Sequence, residues 1–292
     1  MFMVCLYFPA HSPGREWLLA DDHKQPAVLG EGTSYVIRDN NETLVELAWR
    51  YDLGYNEITL ANPDLDPWYP GARASVLLPT SWIIPKAGSS GRTYPLIIIN
   101  LGELRLYFFN QRKSNLFVTT FPVGIGRQGF ETATGRYWVT KRKKDPCWTI
   151  PSSLRDEYPG GTVRVPPGSA NPLGRYALRL SRHDYFIHGT NKPLGIGRRV
   201  SHGCIRMYPE DIEKLYEMTP VGCEVLIVYE TVKVGVKGGI PFIEVHPDYL
   251  NNKNQQTIAR YLLFQNRLWG KIDSFLLHKA VEGKKGIPVA LQ

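Results

Sequence analysis

Cys204 is the residue in this 292-residue chain whose surroundings most favour chemistry. It sits in Ser201-His202-Gly203-Cys204-Ile205-Arg206-Met207, and His188 lies upstream at the end of the apolar run Tyr185-Phe186-Ile187. An ordinary thiol is mostly protonated at neutral pH, so a working nucleophile needs help. A nearby histidine gives that help by taking the proton and stabilising the thiolate. Gly203 leaves room for a carbonyl substrate and frees the N–H groups of residues 203 and 204 to face a developing oxyanion. His188 ends a strand and can reach across, so it is the expected base. His202, only two positions from Cys204, is expected to support the site instead. An inert core thiol fits poorly among Gly, Ser and Arg. A zinc site on His188, His202 and Cys204 would lack a full ligand set at an unusual His-x-Cys spacing. No metal and no cofactor are expected.

The elements that position these residues read mainly as strands. From Tyr94 the apolar period is two: Leu96 to Ile99, a turn over Asn100 to Glu103, then Leu104, Leu106 and Phe108 alternating with Arg105 and Tyr107. Further strands fit Phe117–Val123, Arg136–Thr140, Tyr176–Leu180, Tyr185–His188 and Glu224–Tyr229. The expectation is a mainly β, antiparallel sandwich or barrel-like domain over residues 94–230. Its Pro-rich stretch 145–174 is expected to be a lid. Pro209–Met218 reads as a short helix, with Pro209, Glu210 and Asp211 suiting its first turn. Residues 231–292 form an extension: a strand near Pro241–His246, then helix over Thr257–His278, broken near Gly270, without evident chemistry.

The region before residue 94 has a different pattern. Tyr35-Val36-Ile37 is strand-like, Thr43 is placed to cap a helix closed by Gly54, Tyr55–Ala61 forms a second helix, and Val76-Leu77-Leu78 a closing strand. This α+β unit over residues 34–80 resembles a LysM module, through Asn41-Glu42-Thr43-Leu44, the Ala48 and Tyr51 pair, Ile58 to Pro63 and Val76 to Pro79. The resemblance implies glycan binding, with Trp68 and Tyr69 available to stack on sugars. Residues 81–93 read as a linker, flexible from Pro85 to Arg92. Met1 to Pro9 is apolar and reads either as a first strand or as the remnant of a secretion signal within an N-terminal segment 1–33.

Charge and composition narrow the partners. The net charge is +8, which favours an anionic partner such as nucleic acid or an anionic cell wall. Its longest basic run, Lys141 to Lys144, reads as a solvated turn. No run approaches the roughly 18 apolar residues of a membrane span. Four cysteines without a CxxC make no disulfide framework; Cys147 and Cys223 could pair in an oxidising compartment, but Cys223 fits a buried thiol better.

His188-Gly189-Thr190 followed by Ser201 to Met207 is similar to the signature of the L,D-transpeptidase (YkuD-type) catalytic domain. Asn171-Pro172-Leu173-Gly174, Asn191-Lys192-Pro193 and Pro209-Glu210-Asp211 extend the resemblance. It implies a periplasmic or cell-envelope enzyme acting on peptidoglycan stem peptides, with Cys204 as nucleophile and His188 as proton carrier. The bond attacked would join diaminopimelate to D-Ala. The acceptor would be a second stem, giving a 3→3 cross-link, or a lysine of a wall-attached protein, or water in a carboxypeptidase. A silent glycan-binding scaffold is the non-enzymatic alternative. Gly189 would orient His188 through its carbonyl. Arg206, Arg198 and Arg199, with Ser201 and His202, are the candidates for holding substrate. Nucleic acid is not expected as a partner.

Overall fold

The computed structural model describes residues 14–19, 26–86, 93–151, 155, 163–182, 185–251 and 254–292. The expectations for Met1 to Pro9, for most of the flexible stretch before residue 93 and for part of the lid lie outside the described residues.

The N-terminal portion holds β1 (Glu16–Leu19), β2 (Val28–Gly30), β3 (Thr33–Val36), α1 (Leu44–Arg50), α2 (Tyr55–Ala61), β4 (Ser75–Leu78) and β5 (Ser81–Ile83). Thr43 caps α1 as its sequence implies: Glu46 N–H donates to Thr43 Oγ1 at 3.0 Å, and Thr43 N–H donates to the Glu46 carboxylate at 3.1 Å. Gly54 does not close this helix. The chain leaves α1 at Tyr51, turns through Asp52 at φ 57°, and uses Gly54 as the N-cap of α2. Ser81–Ile83, at the start of the expected linker, is a strand paired with β2.

The centre of the molecule is a nine-stranded sheet. Its strands are β1 together with β6 (Leu96–Asn100), β7 (Arg105–Arg112), β8 (Asn115–Pro122), β10 (Gly135–Lys144), β13 (Tyr176–Leu180), β14 (Phe186–His188), β16 (Ile205–Arg206) and β17 (Glu224–Val228), in the order β1-β8-β7-β6-β17-β10-β13-β14-β16. The short β9 (Ile125–Gly126) pairs with β15 (Arg199–Ser201) outside it. The mainly β expectation holds, but the sheet is mixed: β6 with β17 and β14 with β16 are parallel. A parallel partner requires a crossover connection, and α3 (Pro209–Met218) carries the chain from β16 at the sheet edge back to β17 at its centre. Lys141 to Lys144 are not a turn but the second half of β10, facing β13.

Alternation divides the sheet between two cores. Ile97, Ile99, Leu106, Phe108, Val225 and Ile227 pack with Ile212 and Leu215 of α3. Leu96, Ile98, Tyr107, Phe109 and Leu226 face the other way, onto Leu44, Leu47, Ile58 and Trp82. Arg105 and Tyr107, whose alternation with leucine and phenylalanine suggests an outward face, are fully buried there. Arg105 Nε lies 3.0 Å from Glu57 Oε1, Nη2 donates to Asp52 O at 2.6 Å, and the guanidinium stacks 4.0 Å over Trp82.

The expected lid contains a ladder of β11 (Trp148–Thr149) and β12 (Arg164–Val165). Asn171, fully buried, staples its base by donating to Pro146 O at 2.7 Å. The C-terminal extension has its own core, built by β18 (Val232–Lys237), β19 (Ile240–Val245), α4 (Gln255–Gln265), α5 (Ser274–Gly283) and β20 (Val289–Ala290). A short 3-10 turn at Trp269–Lys271 separates the helices near Gly270. Lys233 of β18 is buried between Glu103 at 2.5 Å and Glu244 at 2.9 Å, and Glu244 also meets His246 at 2.6 Å. Glu103, Glu244 and His246 could together hold a metal ion, but the ammonium of Lys233 already bridges the two glutamates. Burial opposes the Lys233 charge, yet the glutamates more than offset it and hold its pKa above the ordinary lysine value.

Candidate active site

Strand pairing brings the segments that carry His188 and Cys204 together. β14 and β16 run parallel with Ile187 opposite Ile205 and His188 opposite Arg206, and Met207 N–H donates to His188 O at 2.9 Å. Cys204, one residue before β16 and half-buried, therefore stands beside the end of β14. Ile187 and Ile205 are both fully buried, which fixes the register and turns their neighbours to the opposite face.

The histidine is buried and its tautomer is defined. Its Nδ1 lies 2.6 Å from the Gly189 carbonyl, which can only accept, so Nδ1 carries the proton and Nε2 the lone pair. Burial first, and the Arg206 charge second, pull the His188 pKa down to about 4, against the Gly189 hydrogen bond. At neutral pH the imidazole is uncharged. In this form the ring can accept a proton at Nε2 rather than stand as half of a preformed ion pair.

The turn carrying Cys204 is held from below. Ser201 Oγ donates to Cys204 O at 2.6 Å and accepts from Gly203 N–H at 3.1 Å. Thr132 Oγ1 donates to Gly203 O at 2.9 Å and accepts from Gly126 N–H at 3.0 Å. Two sequence expectations change here. Gly203 does not offer its N–H to an oxyanion, because Ser201 takes it; its glycine is used for a backbone φ of 103°. Ser201 is 1% exposed and presents nothing to a substrate; it shapes the turn.

His202 is occupied elsewhere. Arg127 Nη2 lies 2.8 Å from its Nε2, and a guanidinium only donates, so Nε2 accepts and is not available to the thiol. Phe130 meets the His202 ring edge-on at 4.7 Å, with Arg127 stacked over Phe130 at 4.8 Å.

Both expected substrate arginines of the loop are stacked on aromatic rings. Arg198 lies 3.5 Å over Tyr55 of α2, and Arg199 lies 4.1 Å over Tyr249, with Glu131 at 3.8 Å. The loop main chain also joins α2: Ile196 O and Gly197 O accept from the N–H groups of Tyr55 and Asn56 at 3.1 and 3.2 Å. Arg206, opposite His188, acts on it through charge. Asn191 Nδ2 donates to Ala170 O at 3.1 Å, tying the segment after His188 to the end of the Pro-rich stretch.

Thr132, Arg127 and Tyr249 escape sequence reasoning. None lies in a motif, and each reaches the site only because the fold brings distant loops together. Cys147 is exposed and Cys223 buried, both free, so the pairing allowed by sequence is not made. Burial pushes the Cys223 thiol up to about 12.

Residues 94–227 match the family model of the L,D-transpeptidase catalytic domain, YkuD. The chain is 38% identical over 278 residues to "Probable L,D-transpeptidase ErfK/SrfK" of Salmonella typhimurium, covering 90% of this chain and 87% of that protein. It is 34% identical to two Escherichia coli K12 proteins: "Probable L,D-transpeptidase YbiS" over 86% of this chain and 84% of that one, and "Probable L,D-transpeptidase YcfS" over 75% and 69%. The chain belongs to the L,D-transpeptidase family.

Proposed function

We propose that this protein is a peptidoglycan L,D-transpeptidase that passes the acyl group of a tetrapeptide stem through a thioester on Cys204. The observation that carries the reading is His188, its Nδ1 committed to Gly189 O, on a strand parallel to the one that Cys204 enters. The thiol proton moves to His188 Nε2 as sulfur attacks the carbonyl between diaminopimelate and D-Ala. The imidazolium returns that proton to the departing amine, and free D-Ala leaves. In the second half an acceptor amine loses a proton to Nε2 and attacks the thioester, regenerating the thiol. The acceptor amine belongs to a second stem or to a lysine of a wall-attached protein.

The N-terminal unit is proposed to bind glycan as a LysM module. In its support, Trp68 and Tyr69 are 43% and 80% exposed on a turn whose N–H groups are held by Asp66. The site of action is proposed to be the periplasm or cell envelope. Among the described residues no helix is long and apolar enough to cross a membrane.

The test is muropeptide analysis of disaccharide-tetrapeptide treated with wild type and with Cys204→Ala. The expected products are free D-Ala and a 3→3 dimer, absent from the variant. Monomeric tripeptide without dimer would leave a carboxypeptidase, and unchanged substrate would remove the enzyme reading.

A further inference from the structure

We infer that Lys141, Lys143 and Arg179 form a carboxylate-binding ledge that holds the acidic stem peptide on the His188 face of the sheet. This rests on the transpeptidase reading and adds a binding site outside the Cys204 turn. Directly opposite residues of adjacent strands share a face. Lys141 is opposite Arg179, which is opposite Phe186; Lys143 is opposite Ala177, which is opposite His188. The two rungs therefore run from the basic half of β10 across β13 to the catalytic strand. Lys143 Nζ lies 5.9 Å from the Phe186 ring centre, which places its ammonium over that face. Arg142 and Lys144 go the other way, toward Tyr216 and Tyr176 beside α3.

Among the described residues no carboxylate compensates the ledge. Among the described residues, Lys141, Lys143 and Arg179 form no ion pair, whereas neighbouring Arg136 and Arg175 are paired with Glu224 and Asp145. Lys141 and Lys143 are exposed and Arg179 is half-buried. Two inter-strand steps, roughly 10 Å, separate the Lys143 and His188 backbones. Three extended residues span about that length, so a stem whose third residue is at Cys204 can lay its carboxylates across the ledge. A polyanion bound by a diffuse field would not distinguish the two faces of β10; a stem bound beside the nucleophile must.

The experiment uses adjacent, opposite-facing charges. KM and kcat are measured at low and high salt on disaccharide-tetrapeptide for Lys143→Gln, Lys144→Gln, Lys141→Gln/Lys143→Gln and Lys143→Arg. The double variant is expected to raise KM roughly 10-fold at low salt, as for two solvent-weakened charge contacts. Its kcat should stay within about twofold, with the salt dependence of KM flattened. Lys143→Arg should restore KM and Lys144→Gln leave it unchanged. Cys204 alkylation by neutral iodoacetamide should be the same in all, reporting an intact site. Equal KM changes in Lys143→Gln and Lys144→Gln, an unchanged KM in the double variant, or a fall confined to kcat would overturn the ledge. If wild type shows no turnover, the functional reading fails by itself. Calorimetric binding of the acidic tetrapeptide to wild type and the double variant then decides the ledge: weaker binding to the variant supports it, and equal or absent binding overturns it.

Discussion

Arg198 holds its guanidinium 3.5 Å over the ring of Tyr55, so the loop that leads into the Cys204 turn rests on the first residue of α2. A half-buried stack of this kind contributes about 1 kcal/mol. Tyr55→Ala should therefore lower stability by about that amount in urea unfolding. Gly197→Ala should do more, because Gly197 sits at φ 75° and an added Cβ would overlap the main chain of Gly54 and Tyr55. A Gly197→Ala protein as stable as wild type would mean that loop and helix part in solution.

His188 predicts an unusual acid limb. With a folded pKa of about 4 against 6.5 for an ordinary histidine, the base stays neutral well below pH 6.5. The fall in kcat/KM on acidification should lie nearer pH 4 than 6.5. Between these values the unfolded chain binds more proton at this position than the folded one, so its contribution to stability is lost as pH falls through that window. A histidine titration near 6.5, followed by NMR in Cys204→Ala, would contradict this.

Asp211 has the opposite sign. Buried in the first turn of α3, it is raised to about 7, mainly by burial and also by Glu210, while a hydrogen bond with Asp52 opposes the shift. The folded chain then holds more proton than the unfolded one between about pH 4 and 7, so stability from this group declines as pH rises through that range. Asp211→Asn should stabilise the protein at pH 8 relative to wild type and leave it nearly unchanged at pH 4. Denaturant midpoints at both pH values check this; equal effects would remove the assignment.

Thr132→Val removes the hydroxyl that joins Gly203 O to Gly126 N–H. The fold should survive with a loss of about 1–3 kcal/mol for the unsatisfied partners. The nucleophile turn loses its support, and misplacement on the ångström scale costs about 100-fold in rate. Single-turnover acylation of Cys204 should slow accordingly, while Thr132→Ser, which keeps the hydroxyl, should recover most of it.

Lys233 is the strongest stability prediction. Lys233→Met leaves Glu103 and Glu244 buried without their cation, and breaking such a group costs about 3–5 kcal/mol. Calorimetry should show a large fall in Tm for Lys233→Met and partial recovery in Lys233→Met/Glu103→Gln. A chelator should leave the wild-type Tm unchanged, because the ammonium already occupies the cation's place.

What could be read from the sequence was local. Thr43 with Glu46, the Pro209 helix start, the Tyr55–Ala61 helix and the period-two hairpin each depend on neighbours in the chain, so residue type and spacing suffice. The closeness of the His188 strand to the segment that Cys204 enters was legible because a motif compresses a strand contact into a short segment. Arg105 was not: an arginine alternating with leucine reads as solvent-facing until Glu57, Asp52 and Trp82 are laid over it. Gly203 and Ser201 were read as chemistry because glycine and serine beside a nucleophile serve oxyanion and substrate equally well, and only hydrogen-bond geometry separates those uses from building a turn. Lys141 to Lys144 read as a turn because a two-faced basic strand has no apolar period.

A sheet that is apolar on both sides cannot be parted from its cover. Leu96, Ile98, Tyr107 and Phe109 would be bared if the N-terminal unit swung away. That unit is a wall of the enzyme rather than a float on a tether. A glycan gripped as proposed would be presented to Cys204 at one set reach, and the unit would then work as a caliper: the interval between grip and new bond would be a dimension of the protein itself.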